Sequence, residues 1–428
     1  EAEFVVQPQE ENEISLGFRI SYQDAGGTWP RICDFGDQLN FREKPPVHRP
    51  ITNRYLSGRP LVTGHPLFLG RDDVFEEIRK GVTLRERQEP QVLAVIGERR
   101  VGKTSLANQL PIRLADEGYI HVYYDLQELL EENLFLPRLA KLIVRSLREQ
   151  GITINLPSVE ELEKNPTTAF EDYFLPQLWK CIGSRKLLIA IDEYENLQKR
   201  IESGKEDPDV FGYLRSLIQH KQQIVFIFFG SRQIEDLASD YKNVLFGLTK
   251  LIRIGLLKEE TAQSLIKKPV EGQLVYDDLA VKEIIRGTGC HPLYLQMICG
   301  ELITCCNEEE ISYVKMHRVR EALRKIIKSG EMHLKWLWDS TTKEEQAILA
   351  GLAECLSQGR VGKVGVIVQE VRKVGKMMEL GDAYNALENL KRRQILVESK
   401  QGDFYDFAAS LYYDWIRSAH PLKHLTTV

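Results

Sequence analysis

The chain has 428 residues, 43% hydrophobic and 28% charged, the proportions of a globular protein with length for two to four full cores. Lysines and arginines number 57 against 62 aspartates and glutamates, a formal charge of -5. That excludes a surface coated with nucleic acid along its whole length, though not one locally basic domain.

The cysteines (Cys33, Cys181, Cys290, Cys299, Cys305, Cys306 and Cys355) are odd in number, widely scattered and without a CxxC pair. They fit neither a disulfide framework nor a zinc site, and reduced thiols are expected. The longest apolar runs, such as Ile224 to Phe229, are strand-length, and no signal peptide opens the chain, so a cytoplasmic protein without a membrane span is expected. The first residue is Glu1 where a Met would start a chain, which fits processing or excision from a longer polypeptide.

Residues 1–65 begin with "ISLGFRISYQDAGGTW", a strand alternation followed by a Gly-Gly turn, and several prolines follow between Pro45 and Pro66. One or two short hairpins and an extended linker are expected there. From Phe68 strands and helices alternate. Strands are predicted at Gln91 to Ile96, Tyr119 to Leu126, Lys186 to Glu193, Gln223 to Ser231 and near residue 250. Helices are predicted after the first of these, over Leu134 to Gln150, over Ala169 to Cys181 and over Asp209 to His220. Pro111 should bend or shorten the first, because its ring clashes with the preceding turn. Strands separated by helices imply a mostly parallel sheet in a three-layer α/β core over 66–256.

A helical lid is expected over 257–330, with helices near Glu259 to Lys267, Asp278 to Arg286, Pro292 to Cys305 and Tyr313 to Lys328. From 331 to 428, helices near Lys343 to Gly351, Val364 to Val374 and Gly381 to Arg392 precede "QILVES", "KQGD" and "FYDFA". Helices followed by a hairpin suggest a winged helix-turn-helix.

The strongest signal is "GERRVGKT", Gly97 to Thr104, which matches the phosphate-loop pattern GxxxxGK[ST] between a strand and a helix. Its glycines let the backbone wrap phosphate oxygens, and successive N–H groups at a helix N-terminus supply positive field. Lys103 can reach the β- and γ-phosphates, and Thr104 can ligate magnesium. The apolar strand "LLIAIDEYE" ends in Asp192, a second ligand for the metal, and Glu193 is the candidate for polarising the attacking water. Glu195 reads as an ordinary surface acid. Ser231 and Arg232 end the fourth strand, where they could sense the γ-phosphate, although capping explains Ser231 and a salt bridge Arg232 equally well. Arg99 and Arg100 within the loop are open to three readings: an acidic partner, a neighbouring subunit or plain exposure.

With these motifs the sequence resembles the AAA+ class and its signal-transduction branch, the STAND ATPases. It looks closest to members that open their ATPase with FxGR and carry a GxRRxGKTSL loop, here "FLGRDDVFEEI" and "GERRVGKTSL". Origin-recognition-type initiators share this layout. The resemblance covers roughly residues 66–310 well and the winged-helix candidate loosely. It implies that ATP or ADP binds with Mg2+, and that Phe68, Leu69, Gly70 and Arg71 border the adenine. It implies contacts to the phosphates from Gly97, Arg100, Val101, Gly102, Lys103, Thr104 and Ser105. His291 and Pro292 of "TGCHPLYLQ" would open a lid helix near the phosphates, with a purely structural cap as the alternative for His291. "NRYLSGRPL" is similar to an NPYxxGxP linker that precedes such ATPases. No MHD motif and no TPR, WD or leucine-rich repeat is found.

The expected activity is therefore an ATP-dependent switch in signalling or defence. Its expected partners are a nucleotide-dependent homo-oligomer and a protein effector or sensor. One alternative is a DNA-binding AAA+ regulator, since Arg360, Lys363, Arg372, Lys373, Lys376, Lys391, Arg392 and Arg393 outnumber the acids between them by four. The other is a nucleotide-binding interaction module with negligible turnover.

Overall fold

The computed structural model describes residues 13–22, 31–40, 47–86, 92–127, 134–154, 162, 164–231, 249–329, 331–399 and 402–425. Two antiparallel strands, β1 (Glu13–Tyr22) and β2 (Arg31–Asn40), pair in register from Glu13 with Asn40 to Tyr22 with Arg31, the hairpin expected near the start. The extended linker then leads into α1 (Asp72–Glu86).

The central domain is a five-stranded, all-parallel sheet. Its strands are β3 (Val92–Ile96), β4 (Tyr119–Asp125), β5 (Lys186–Asp192), β6 (Ile224–Gly230) and β7 (Thr249–Arg253), in the order β4-β5-β6-β3-β7. Strand side chains alternate between two separate cores, as a pleated sheet covered on both faces requires. Val92, Ala94, Ile189 and Phe226 pack with α3 (Phe135–Glu149), α4 (Leu175–Ile182) and α6 (Val210–His220), while α5 (Glu195–Glu202) follows β5. Leu93, Val95, Leu188 and Ile227 pack with α1 and with α2 (Lys103–Arg113). Pro111 sits in the last turn of α2, and the helix stops at Arg113 before a short 3-10 turn at Ala115–Glu117. The sheet is a P-loop-type α/β core flanked by helices, as the alternation of elements predicted.

The lid comprises α7 (Glu259–Lys267), α8 (Asp278–Thr288), α9 (Pro292–Glu308) and α10 (Met316–Ser329). Tyr313 and Val314, expected as the start of a helix, instead form β9 and pair with β8 (Val275–Tyr276) in a short parallel ladder. Two residues per strand leave no periodicity to detect. Linker residues Ile51, Tyr55, Leu61 and Leu67 are buried in this lid core.

The last region contains α11 (Glu331–Asp339), α12 (Lys343–Ser357), α13 (Val364–Lys373) and α14 (Leu380–Arg392). The hairpin β10 (Leu396–Glu398) and β11 (Tyr405–Phe407) follows, then α15 (Ser410–Ala419). Thr342 and Glu345 form a reciprocal capping box that fixes where α12 begins. An isolated bridge between Lys363 and Phe404 adds a third strand position beside the hairpin. This β/α subdomain resembles a winged helix. Leu293 and Tyr294 of α9 are buried in its core, so lid and C-terminal subdomain share one apolar seam.

Candidate functional site

The segment Gly97–Gly102 leaves β3 at the carboxyl edge of the sheet and turns into α2 through two left-handed residues, Arg100 (φ 67) and Gly102 (φ 101). Gly97 has no room for a side chain, because an added Cβ would lie 2.1 Å from the Ile254 carbonyl oxygen. Lys103 is buried, and its ammonium donates to the carbonyls of Gly97 (2.9 Å) and Glu98 (3.1 Å). Burial lowers its pKa, opposed by the charges of Glu193 and Asp192.

Asp192 is 1% exposed at the end of β5 and is held by three donors. Its Oδ2 accepts from Thr104 Oγ1 (2.6 Å) and from Tyr123 OH (2.9 Å), and its Oδ1 accepts from the Glu193 amide (3.0 Å). Burial and the adjacent Asp192 charge push the Tyr123 phenol pKa up, so it stays a donor. Glu193 adopts a left-handed conformation, φ 53, which turns its side chain out of the strand direction. Its carboxyl is pushed up to about 7, by burial first and then by the Glu195 charge, with Lys103 opposing.

A cavity of about 330 Å³ lies over this constellation. The expected residues Phe68, Leu69, Arg71, Arg100, Val101, Gly102, Lys103, Thr104, Ser105, Asp192, Glu193 and Pro292 all line it. Gly70 and Gly97 support it from behind; Gly70 has φ 70 and meets Thr261 where a Cβ would stand. Arg71 spends its guanidinium on carbonyls, those of Gly255 (2.6 Å), Val101 and Leu256 (each 3.2 Å), and burial lowers its pKa to about 10.

Two expected residues face elsewhere. His291 lines a neighbouring 150 Å³ cavity with Glu98, Arg99 and Arg393, caps α9 by accepting the Leu293 amide on Nδ1 (3.3 Å) and packs on Tyr294. Burial, with Arg71 and His333 nearby, lowers its pKa to about 3, so the ring is neutral. Ser231 lines a wider groove beside Glu193, where its amide and hydroxyl both donate to Glu195 Oε1, at 3.1 and 2.6 Å. Arg232 lies outside the described residues.

Glu195, expected at the surface, is instead 6% exposed. The turn at Glu193 brings the first residue of α5 against the end of β6, where Ser231 supplies donors for its carboxylate. Arg99 and Arg100 meet neither an acid nor open solvent alone. Arg99 lies 5.2 Å from the Trp336 ring centroid, and Arg100 donates to the Gly58 carbonyl at 2.6 Å.

Several lining residues carried no expectation from sequence. Leu56, Gly58, Arg59, Pro60 and Leu61 come from the linker, Asp125 and Gln127 from the end of β4, and Gln296 from α9. The linker motif and the strand end at the same sheet edge were the available signals; Tyr123 had none.

Residues 85–238 match a family model described as an AAA domain. Among solved structures, a Walker-type ATPase of Pyrococcus abyssi is similar at 17% identity, covering 84% of this chain and 99% of that one, with a TM-score of 0.56. A chain of the Drosophila ORC bound to DNA is 14% identical, covering 86% and 89%, with a TM-score of 0.45. The Aeropyrum pernix ORC2 protein in its ADP form is 14% identical, covering 84% and 95%, also at 0.45. No curated protein matches the sequence. The chain thus carries an AAA-type P-loop ATPase domain, and at these identities the likeness to solved structures is one of fold. No described helix is long and apolar enough to cross a membrane.

Proposed function

We propose that this protein is an ATP-driven molecular switch of the AAA+/STAND type, which binds and hydrolyses ATP and so controls how its C-terminal subdomain is held. The observation that carries this reading is a bridge from the phosphate loop to that subdomain. Arg393 donates through Nε to Glu98 Oε1 at 2.8 Å, and its Nη2 reaches Ser340 Oγ at 2.8 Å. The neighbouring Gln394 accepts the Leu256 amide at 2.7 Å. Glu98 stands between the Gly97 and Arg99 that shape the loop, and its own carbonyl is a resting partner of Lys103.

In this reading Lys103 exchanges the carbonyls of Gly97 and Glu98 for phosphate oxygens when nucleotide enters, and the loop amides and the start of α2 take the remaining charge. Thr104 Oγ1 and Asp192 Oδ2, 2.6 Å apart, are the hard oxygen donors that Mg2+ favours. The metal, held there, would supply charge neutralisation to the phosphates. Glu193 orients a water towards the γ-phosphorus and takes its proton, the bond to the β-phosphate oxygen breaks, and ADP leaves with that electron pair. The loop's shift is then felt at Glu98 and passed to Arg393. Such a switch works only through contacts that differ between states, and in this reading the bridge is the contact that changes.

The DNA-binding reading draws less support. Arg360 and Lys373 pair with Glu370, Lys391 with Glu388 and Glu398, and Arg393 with Glu98, while Arg372 donates to the Met378 carbonyl. Glu370 and Glu388 are already counted in that segment's excess of four, and the outside acids Glu98, Glu345 and Glu398 lower the excess without abolishing it. Energy transfer between dyes on the sheet domain and the C-terminal subdomain, measured with ADP and with a non-hydrolysable ATP analogue, tests the proposal. A nucleotide-dependent change is expected. Equal transfer in both states, together with salt-dependent DNA retention in gel shifts, would replace the switch with the DNA-binding reading.

A further inference from the structure

Gln296 is the one neutral amide side chain on the apolar part of the cavity wall, among Leu56, Leu61, Leu265, Pro292 and Leu293. It lies one helical turn beyond Pro292 on α9, so both side chains present the same face. It is 8% exposed. Its orientation is fixed by chemistry: the Leu56 amide donates to it at 3.1 Å, and only the amide oxygen can accept. Among the described residues its Nε2 has no protein acceptor. A ligand bringing a lone pair to this apolar wall would supply one.

We infer that Gln296 is the base-reading residue of the cavity, donating its amide N–H to an unprotonated ring nitrogen of the adenine. The inference rests on the nucleotide reading above and deepens it. Adenine offers lone pairs at N1, N3 and N7 and carries no ring N–H, so a single N–H donor on this wall can pair with it while the phosphates anchor the other end. The linker acquires a second role, since the Leu56 amide holds the glutamine in its reading position. Arg59 and Arg71 also line the cavity, but Arg71 is spent on backbone carbonyls and is not a free reader.

The test is a cycle of single-atom changes in ligand and protein, using the full chain. Affinities for ATP and for 1-deaza-, 3-deaza- and 7-deaza-ATP are measured by calorimetry, with inorganic tripolyphosphate as a probe of the phosphate end. One of the three deaza analogues should bind the wild type about 10-fold more weakly than ATP. Gln296→Met, similar in length, should bind ATP about 10-fold more weakly, be insensitive to that same nitrogen and keep its tripolyphosphate affinity. Equal affinities for all four nucleotides in the wild type would overturn the inference while leaving the proposed ATPase intact. So would a Gln296→Met protein that still distinguishes the analogues, since the residue would then be only a linker tether. A wild type that binds no nucleoside triphosphate would sink both.

Discussion

The two ends of the cavity are built by opposite means. The phosphate end comes from one eight-residue loop and one strand terminus, held by backbone geometry: the closed space at Gly97, the left-handed turn at Gly102, the three donors on Asp192. The base end is assembled from the linker, the Phe68–Leu69 turn, α7 and α9, none of which forms a wall alone. The first is complete once the sheet has formed; the second exists only while lid and linker are docked. In the proposed switch, charge recognition would therefore stay constant, whereas base recognition would track the lid's position.

Substitutions at the two ends should accordingly fail in different ways. Lys103→Ala should lower phosphate release by about 100-fold or more and weaken ATP and tripolyphosphate alike, as calorimetry would register. Glu193→Gln should keep ATP binding and slow phosphate release by about 100-fold; unchanged turnover in both variants would remove the assignment of this end. The lid side carries a pH signature through His291. Its folded pKa of about 3 lies below the ordinary 6.5, so its stabilising contribution is full above the ordinary value and lost as pH falls towards 3. Between about pH 7 and about pH 5 this residue should account for about 2 kcal/mol of lost stability. His291→Asn, which keeps a cap acceptor, should flatten the urea-denaturation difference by that amount. Tyr123→Phe removes one donor from Asp192 and should weaken the Mg2+-dependent part of ATP binding about 10-fold, leaving metal-free binding unchanged. Arg393→Ala should have the smallest effect, a change in ADP release of about 5-fold, because its partners are partly solvated.

The difference between the ends also explains what could be read from the residues. Phosphate binding needs a fixed spacing of glycines, Lys103 and Thr104, so the loop was legible, as was a strand ending in Asp192. The buried strands stood out because apolar runs bounded by turns have few other uses. Tyr123, Glu195 and Gln296 were not legible, because each acts through a partner distant in sequence: Asp192, Ser231 and Leu56. His291 fitted two readings as a sequence, and only burial beside Tyr294 separates the cap from the phosphate contact. The helices at Glu195–Glu202, Glu331–Asp339 and Ser410–Ala419 carry little signal of their own, the first two because they are short and the last because it follows directly on the hairpin.

The linker's attachments carry one more consequence. Ile51 exchanges hydrogen bonds with Asn307, and the Tyr55 hydroxyl donates to the carbonyls of Leu265 and Ile266, all in the lid. Residues 51–55 are thus tied to the lid, while residues 61–64 of the same linker bond to Ser105, Asn108 and Gln109, so a pivot in the proposed switch would pull on the stretch between them. In that proposed switch, a probe at Val47, which is 89% exposed, would work as a pointer on the lid, reporting nucleotide state far from any phosphate.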